Sequence, residues 1–387
     1  MKFLVWDEVG HVNIVKTKKG IDTSKEESEK PEIYPLAEPN AKAPIVGIKL
    51  LRGFGEDVVL TARLPHTISL HGFKIDKKKQ VPKLTLLDEE NLANSTVVSV
   101  GGEGQVIWHI ASDGSTELRY FPEEDEEGEI QRRNFNFGEK ISVAAVKLHG
   151  KTLLDPHHVA IGGDGRDVEV WASKDDGYEK IWSAKNVKAD KLGLASPIGV
   201  SQIQFLPESK DGKAKQLLVG TKFGYIRLYD YSGNVRRPLL NHKVCDKAIV
   251  QMQVMSAPTA EDEKKELTIA YTNPDGKFAL LSVDKKRDIG VYKGFTGKVA
   301  AVTKLPHDYV VATGADRYLR VYDENRKVVS SVYWGGRGAG VAVLEGEDEK
   351  PPADDKEDSD EELWEKMEEV AEKASSKKRK TTDGRRG

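Results

Sequence analysis

An all-β ring of four-stranded blades is the fold this sequence predicts, and three observations predict it. A phrase recurs: "TGADRYLRVYDENRKVVSSVYWG", residues 313–335, runs from a small-residue turn through an alternating strand to a second turn at "ENRK" and a further strand, and weaker copies precede it. The copies are spaced by about 51 residues, somewhat above the roughly 40–45 of a WD-type propeller blade and in keeping with loop insertions. Upstream of most copies lies one more apolar run, which makes four strands per unit.

In chain order the copies are "LTARLPHTISLHGF" near Thr61, "SVGGEGQVIWHIASDG" near Gly101, "AIGGDGRDVEVWASKDDG" near Gly162, "LVGTKFGYIRLYDYSG" near Gly220, "IAYTNPDGKFALLSVD", and the phrase quoted first. Each joins a short apolar run to an alternating strand through a Gly, Asp or Asn turn. The preceding strands are "IVGIKLL", "ISVAAVKLHG", "IGVSQIQFLP", "AIVQMQVMS" and "KVAAVTKLP". Before Gly101 the matching run is "PKLTLL", which reads equally as the outer strand of the preceding blade. Six units cover 46–333 and leave "FLVW", "HVNIV" and "GAGVAVLE" over. A ring closes if 340–344 supply an inner strand and 3–15 the next two, which removes sheet edges that invite aggregation. The expectation is a seven-bladed WD-type β-propeller over residues 1–345, closed by its N- and C-terminal strands.

Asp316 falls in the turn between second and third strands, where WD repeats commonly hold an aspartate that accepts turn amides, and Asp164 is a looser match in its own blade. The other blades offer no convincing equivalent. The repeats are degenerate, with "LYD" and "VYD" standing nearest to the usual Trp-Asp ending.

Residues 346–387 change character and are expected to form a flexible tail. "EGEDEKPPADDKEDSDEE" has too few apolar groups to offset the entropy of ordering. "ELWEKMEEVAEKA" places apolar residues at helical spacing, with acids leading and Lys373 closing, and Trp364 on so polar a segment points to a docking peptide. In the basic end, Lys377, Lys378, Arg379 and Lys380 form a tetrad of the type read by nuclear import receptors, and such a cluster also meets RNA phosphates.

The composition excludes several classes. With 60 basic and 63 acidic residues in 387, the net charge of −3 does not fit a protein that coats nucleic acid with its whole surface. Cys245 is the single cysteine, so neither an intramolecular disulfide nor a cysteine zinc site can form, and a reducing compartment is favoured. Asp7 and Glu8 interrupt the apolar start before it reaches signal-peptide length, so the N-terminus reads as a hairpin. No stretch approaches the roughly 18 apolar residues of a spanning helix, and no membrane partner is expected. "GGRGAG" at 335–340 lacks the Lys-Ser/Thr ending of a phosphate loop and reads as a blade junction. His157 and His158 are adjacent rather than spaced for one metal. No catalytic constellation can be singled out, and neither cofactor nor metal is expected.

One connection stands out. "WSAKNVKADKLGLASPIG", 182–199, joins an outer strand to the next inner strand and carries Lys185, Asn186, Lys188, Asp190 and Lys191, which cannot all face a core. The next long connection, "SGNVRRPLLNHK", adds Arg236 and Arg237 from the neighbouring blade. The two are expected at similar positions in their blades. The plain alternative is scattered surface charge.

The loop, with "GYIRLYDYSGNVRRPLL", "GADRYLRVYD" and the tail "EELWEKMEEVAEKASSKKRK", resembles the nucleolar WD-repeat assembly factors of the large ribosomal subunit, the Nop-seven-associated protein family of fungi and its animal WD-repeat counterpart. That family shows an "AKNV" loop, an "RRP" after the next blade, and a tail with "LW" before a basic end. The resemblance implies a seven-bladed propeller in the nucleus and nucleolus, a monomer within a large particle. Its implied partners are pre-60S assembly proteins, an AAA-type ATPase that releases it, and ribosomal RNA as a further candidate. Lys185, Asn186, Asp190, Arg236 and Arg237 match the family pattern; Ala189 and Leu192 to Ala195 depart from it. The expected role is a non-enzymatic scaffold. The rivals are a chromatin or ubiquitin-ligase adaptor reading a peptide in its central channel, and a propeller enzyme with acid/base groups or a metal on the axis.

Overall fold

The computed structural model describes residues 1–346 apart from 38–39, 41, 55, 65–66, 76–81, 93–94, 123–128, 151–156, 176, 190–191, 208–214, 260–261 and 263. Its 28 strands form seven four-stranded antiparallel sheets arranged as the blades of a propeller. Blades 1 to 6 occupy 45–91, 97–136, 143–183, 200–243, 251–291 and 299–333, each running from its inner to its outer strand. The expected tail helix, with Trp364, and the basic tetrad Lys377, Lys378, Arg379 and Lys380 lie outside the described residues.

Blade 7 is made from both ends of the described chain. Its inner strand is Gly338–Glu345 and its second and third strands are Lys2–Asp7 and Val12–Lys16. Phe3 stands opposite Val343, Leu4 opposite Ala342 and Val5 opposite Val341, and Lys2 Nζ pairs with Glu345 Oε1 at 2.8 Å. The outer strand, Glu32–Ala37, was not legible in the sequence pattern. It holds Pro35, tolerable because an outermost strand has one ladder edge without a partner.

The apolar run "FLVW" has no alternation because both of its faces are buried. Phe3 and Val5 pack with Val311, Leu319 and Val321 of blade 6, whereas Leu4 and Trp6 pack with Ile45, Ile48 and Val59 of blade 1. Inner and second strands around the ring share this sandwiching; all seven residues of His157–Gly163 are buried. Outer strands alternate with solvent, as in Gln131–Asn136. The burial of like blades against one another is therefore the main apolar stabilisation of the fold.

The glycine cluster is a blade junction. Gly338 and Gly340 lie in the closing inner strand, and a Cβ on Gly340 would stand 1.8 Å from the Trp6 ring. His157 and His158 point to opposite faces of their strand: His157 Nε2 meets the Tyr178 hydroxyl at 2.7 Å, and His158 Nδ1 meets His149 Nε2 at 2.9 Å.

In blade 2 the sequence alignment is displaced by one strand. Pro82–Asn91 is the outer strand of blade 1, and the "SVGGE" run lies within the inner strand of blade 2, Val97–Glu103. The turn equivalent to those of the other blades is at Asp113, between Val106–Ala111 and Ser115–Tyr120, not near Gly101. The tight Gly turn after Glu103 has the same small-residue character as a turn between second and third strands, so composition does not separate the two.

Asp316 accepts the Tyr318 amide at 3.3 Å and the Thr296 amide at 3.4 Å, and receives Arg320 Nη1 at 2.6 Å. Both partners of that ion pair are almost buried, and the guanidinium lies 4.5 Å from the centroids of Phe295 and Tyr318. Equivalent acceptors exist in blades where the sequence revealed none. Asp7 accepts the amides of Val9 and His11, Asp113 that of Ser115, and Asn273 those of Asp275 and Lys277. Asp316→Ala is expected to destabilise the protein by about 1–3 kcal/mol, since it strands turn amides and a nearly buried guanidinium. A melting temperature equal to that of the unsubstituted protein would show that the turn is held by other contacts.

Candidate functional site at the junction of blades 3 and 4

The outer strand of blade 3, Gly177–Ser183, ends with Trp182 buried and its ring edge-on to Tyr229 of blade 4, centroids 5.5 Å apart. One further ladder bond, Ala184 N–H to Val168 O at 2.7 Å, carries the chain beyond the strand. There it meets the connection between the third and outer strands of blade 4. Lys185 N–H donates to Arg236 O at 2.8 Å, Trp182 Nε1 to Val235 O at 3.2 Å, and Arg236 Nε to Ser183 O at 2.7 Å; Arg236 Nη2 also bonds Ser183 Oγ. The blade 4 segment thus satisfies polar groups that the end of blade 3's outermost strand would otherwise leave open.

The two predicted loops are therefore in direct contact, although they do not occupy similar positions in their blades. The segment after Ser183 joins one blade to the next, whereas the segment carrying Arg236 lies within blade 4. Sequence spacing could not separate these cases, because both are polar runs following an alternating strand.

Asn186 is a brace. Its Nδ2 donates to Ser196 O at 2.6 Å and its Oδ1 accepts the Val187 amide at 2.9 Å, which ties the two sides of the loop together. Lys185, Lys188, Arg236 and Arg237 are exposed, and among the described residues none of the four lies within ion-pair distance of a carboxylate. Asp190, together with Lys191, lies outside the described residues. Asp164, expected as a turn-amide acceptor, points its exposed carboxylate to Lys222 Nζ of blade 4 at 2.5 Å, and its backbone bridges to Gly199. It links the blades at the far end of the same loop.

Apolar side chains intermingle with these cations. Leu192 is 84% exposed and Leu194 65%, and Val235 and Leu239 are more than half exposed. Charge alone does not point to these four positions in the sequence. The available signal was four branched apolar residues inside polar connections, where no strand alternation accounts for them. Cations beside accessible apolar groups form a surface able to dock a protein segment and to meet phosphates.

Below this surface the junction holds buried polar groups. Arg227 is buried and donates through Nε to Asn241 Oδ1 at 2.9 Å. Asp167 accepts the Val168 amide at 3.0 Å through one oxygen, while the other has no hydrogen-bond partner among the described residues. Burial pushes the Asp167 carboxyl up, against the opposing pull of that amide and of Arg227. Burial, then the nearby Asp167 charge, pushes the Tyr229 phenol up to about 12. Tyr229 is fully buried and stays neutral, a fixed wall for Trp182.

No family model matches the chain. It is 27% identical over 322 residues to ribosome biogenesis protein NSA1 of Meyerozyma guilliermondii, covering 76% of this chain and 78% of that protein. With ribosome biogenesis protein nsa1 of Schizosaccharomyces pombe the identity is 24% over 402 residues, 96% of each chain. WD repeat-containing protein 74 of Bos taurus is 32% identical over 168 residues, 43% of this chain and 40% of that protein. Among solved structures, the WD40 β-propeller domain of Doa1 superposes with a TM-score of 0.53 at 11% identity, covering 78% of this chain and 90% of that one. Saccharomyces cerevisiae Sqt1 gives 0.52 at 11% identity, with 75% of each chain covered. These two likenesses concern the fold alone. By sequence, the chain is a homologue of the proteins named ribosome biogenesis protein NSA1 in several fungi and WD repeat-containing protein 74 in cow and human.

Proposed function

We propose that the protein acts in ribosome biogenesis as a non-catalytic scaffold, docking on precursors of the large subunit through the junction of blades 3 and 4. The homology to ribosome biogenesis proteins, extending over 96% of the chain in the fission-yeast case, carries the assignment to ribosome assembly. The finer reading rests on four cations that have no carboxylate within ion-pair distance among the described residues, and on exposed leucine and valine side chains of the same two loops. A rigid platform loses little conformational entropy on docking, so such contacts bind more tightly than the same residues on a free loop. Assembly proteins of the pre-60S particle are the partners, with ribosomal RNA phosphates meeting Lys185, Lys188 and Arg237. Release by an AAA-type ATPase and residence in the nucleolus complete the reading, and both derive from the family resemblance.

The test separates docking from folding. Arg236 braces Ser183, so its removal would disturb the junction; Lys185 and Arg237 serve better. Lys185→Glu combined with Arg237→Glu is expected to lower co-sedimentation with pre-ribosomal particles by about tenfold at unchanged melting temperature. Undiminished co-sedimentation would remove this junction from the binding surface. Recovery of histones or cullin partners in place of ribosomal precursors would favour the adaptor role instead.

A further inference from the structure

Two other clefts between blades are closed by aromatic rings. Phe135, Phe137, Trp171 and Tyr178 meet between blades 2 and 3, and Phe278, Tyr292 and Tyr322 between blades 5 and 6. Between blades 1 and 2 the facing groups are charged, and a cavity of about 560 Å³ remains, of the size that holds a small ligand or a side chain with its neighbours. Its lining includes Glu90 from the outer strand of blade 1, and Asp113, Glu117, His109, Phe135 and Arg132 from blade 2.

Two independent features mark the cavity as a recognition site. The first is charge. Arg119, nearly buried beside it, pairs with Asp88 Oδ2 at 3.2 Å, with Glu117 Oε2 at 2.7 Å and with Glu90; Arg132 Nη1 reaches Glu117 Oε1 at 3.5 Å. With Asp113 this sets four carboxylates against two guanidiniums among the described residues, a local excess of two negative charges around a partly desolvated space. The second is His109, only 7% exposed, which lines the cavity and whose imidazole makes no hydrogen bond among the described residues. A polar side chain buried to that degree is ordinarily paired. Burial lowers the pKa of His109 to about 4, so at neutral pH the ring offers a bare nitrogen lone pair as well as an N–H.

We infer that the cavity between blades 1 and 2 binds an arginine side chain presented by a partner peptide. Excess carboxylate excludes a nucleic-acid phosphate and favours a cation. An acceptor nitrogen on His109 suits a guanidinium N–H, and the carboxylates of Glu117 and Glu90 in the same lining suit its charge. This site is separate from the junction of blades 3 and 4 and stands or falls independently of it.

The probe is acetyl-Gly-Arg-Gly-amide, added to the full chain labelled at the histidine ring Cε1, with the His109 resonance assigned by its loss in His109→Gln. A saturable shift of that resonance is expected, half complete near about 1 mM, and absent with the citrulline analogue, which keeps the shape and lacks the charge. Glu117→Gln should weaken the response about tenfold or more. Because Glu117 also holds Arg119, a second variant guards against a folding defect. Arg132 is about half exposed at the mouth, and Arg132→Gln should tighten binding about threefold by removing a like charge. No His109 shift up to about 10 mM, an equal response to citrulline, or weaker binding in Arg132→Gln would each overturn the assignment.

Discussion

A chain ended before Gly338 is expected not to fold, whereas a chain ended after Gly346 should melt like the full-length protein. The shorter form lacks the inner strand of blade 7. Phe3 and Val5 would lose Val341 and Val343, Leu4 and Trp6 would lose Leu344, and the Lys2–Asp7 strand would lose one whole ladder. Two interblade cores would also open to water, one toward blade 6 and one toward blade 1. The loss compares with the whole roughly 5–15 kcal/mol by which a folded domain exceeds its unfolded state. Circular dichroism and limited proteolysis read the result. A cooperative melt in the shorter form would mean that six blades suffice and that the ring does not depend on its clasp.

Gly224→Ala should be a strongly damaging methyl addition, at about 3 kcal/mol or more. Gly224 sits in the turn between second and third strands of blade 4 with φ +75°, a conformation costly for any residue with a Cβ. That Cβ would lie 2.0 Å from the Cys245 carbonyl oxygen and 2.6 Å from its carbon. The obstacle is backbone, pinned by the Val244 amide donating to Gly224 O at 2.9 Å, so it cannot swing aside as a side chain would. Gly104 is the control. It also has positive φ, yet a Cβ there meets nothing within 4 Å, so Gly104→Ala should cost only the conformational part, about 1 kcal/mol. Equal melting temperatures for the two variants would show that the Cys245 segment relaxes freely.

Much of the ring was readable because sandwiched strands repeat a composition: the inner runs "IVGIKLL" and "KVAAVTKLP" and the closing pieces "FLVW" and "GAGVAVLE" lie where the pattern put them. The outer strands carried less signal, since one face and one edge of each are open. Glu32–Ala37 is set off by a connection of fifteen residues and interrupted by Pro35, so nothing in its spacing identifies it. Displacement in blade 2 had a similar origin, two glycine turns within one unit. At the candidate site, the proximity of the two connections is set by Arg236 reaching across to Ser183, a tertiary bond that no local pattern encodes. The cavity between blades 1 and 2 was invisible for the same reason. His109 reads as one polar residue in an apolar strand, and only the neighbouring blade's Glu90 makes a site of it.

The clasp of blade 7 also has a history within each molecule. Lys2 and Glu345, paired in the finished ring, are 343 residues apart in sequence. At synthesis rates of about 5–20 residues per second, the first strand leaves the exit tunnel roughly 20–70 seconds before its inner neighbour. Throughout that interval Phe3, Leu4, Val5 and Trp6 have no inner strand to pair with. The ring therefore closes late: the ladder that buries both faces of these four residues cannot form until Glu345 has been made.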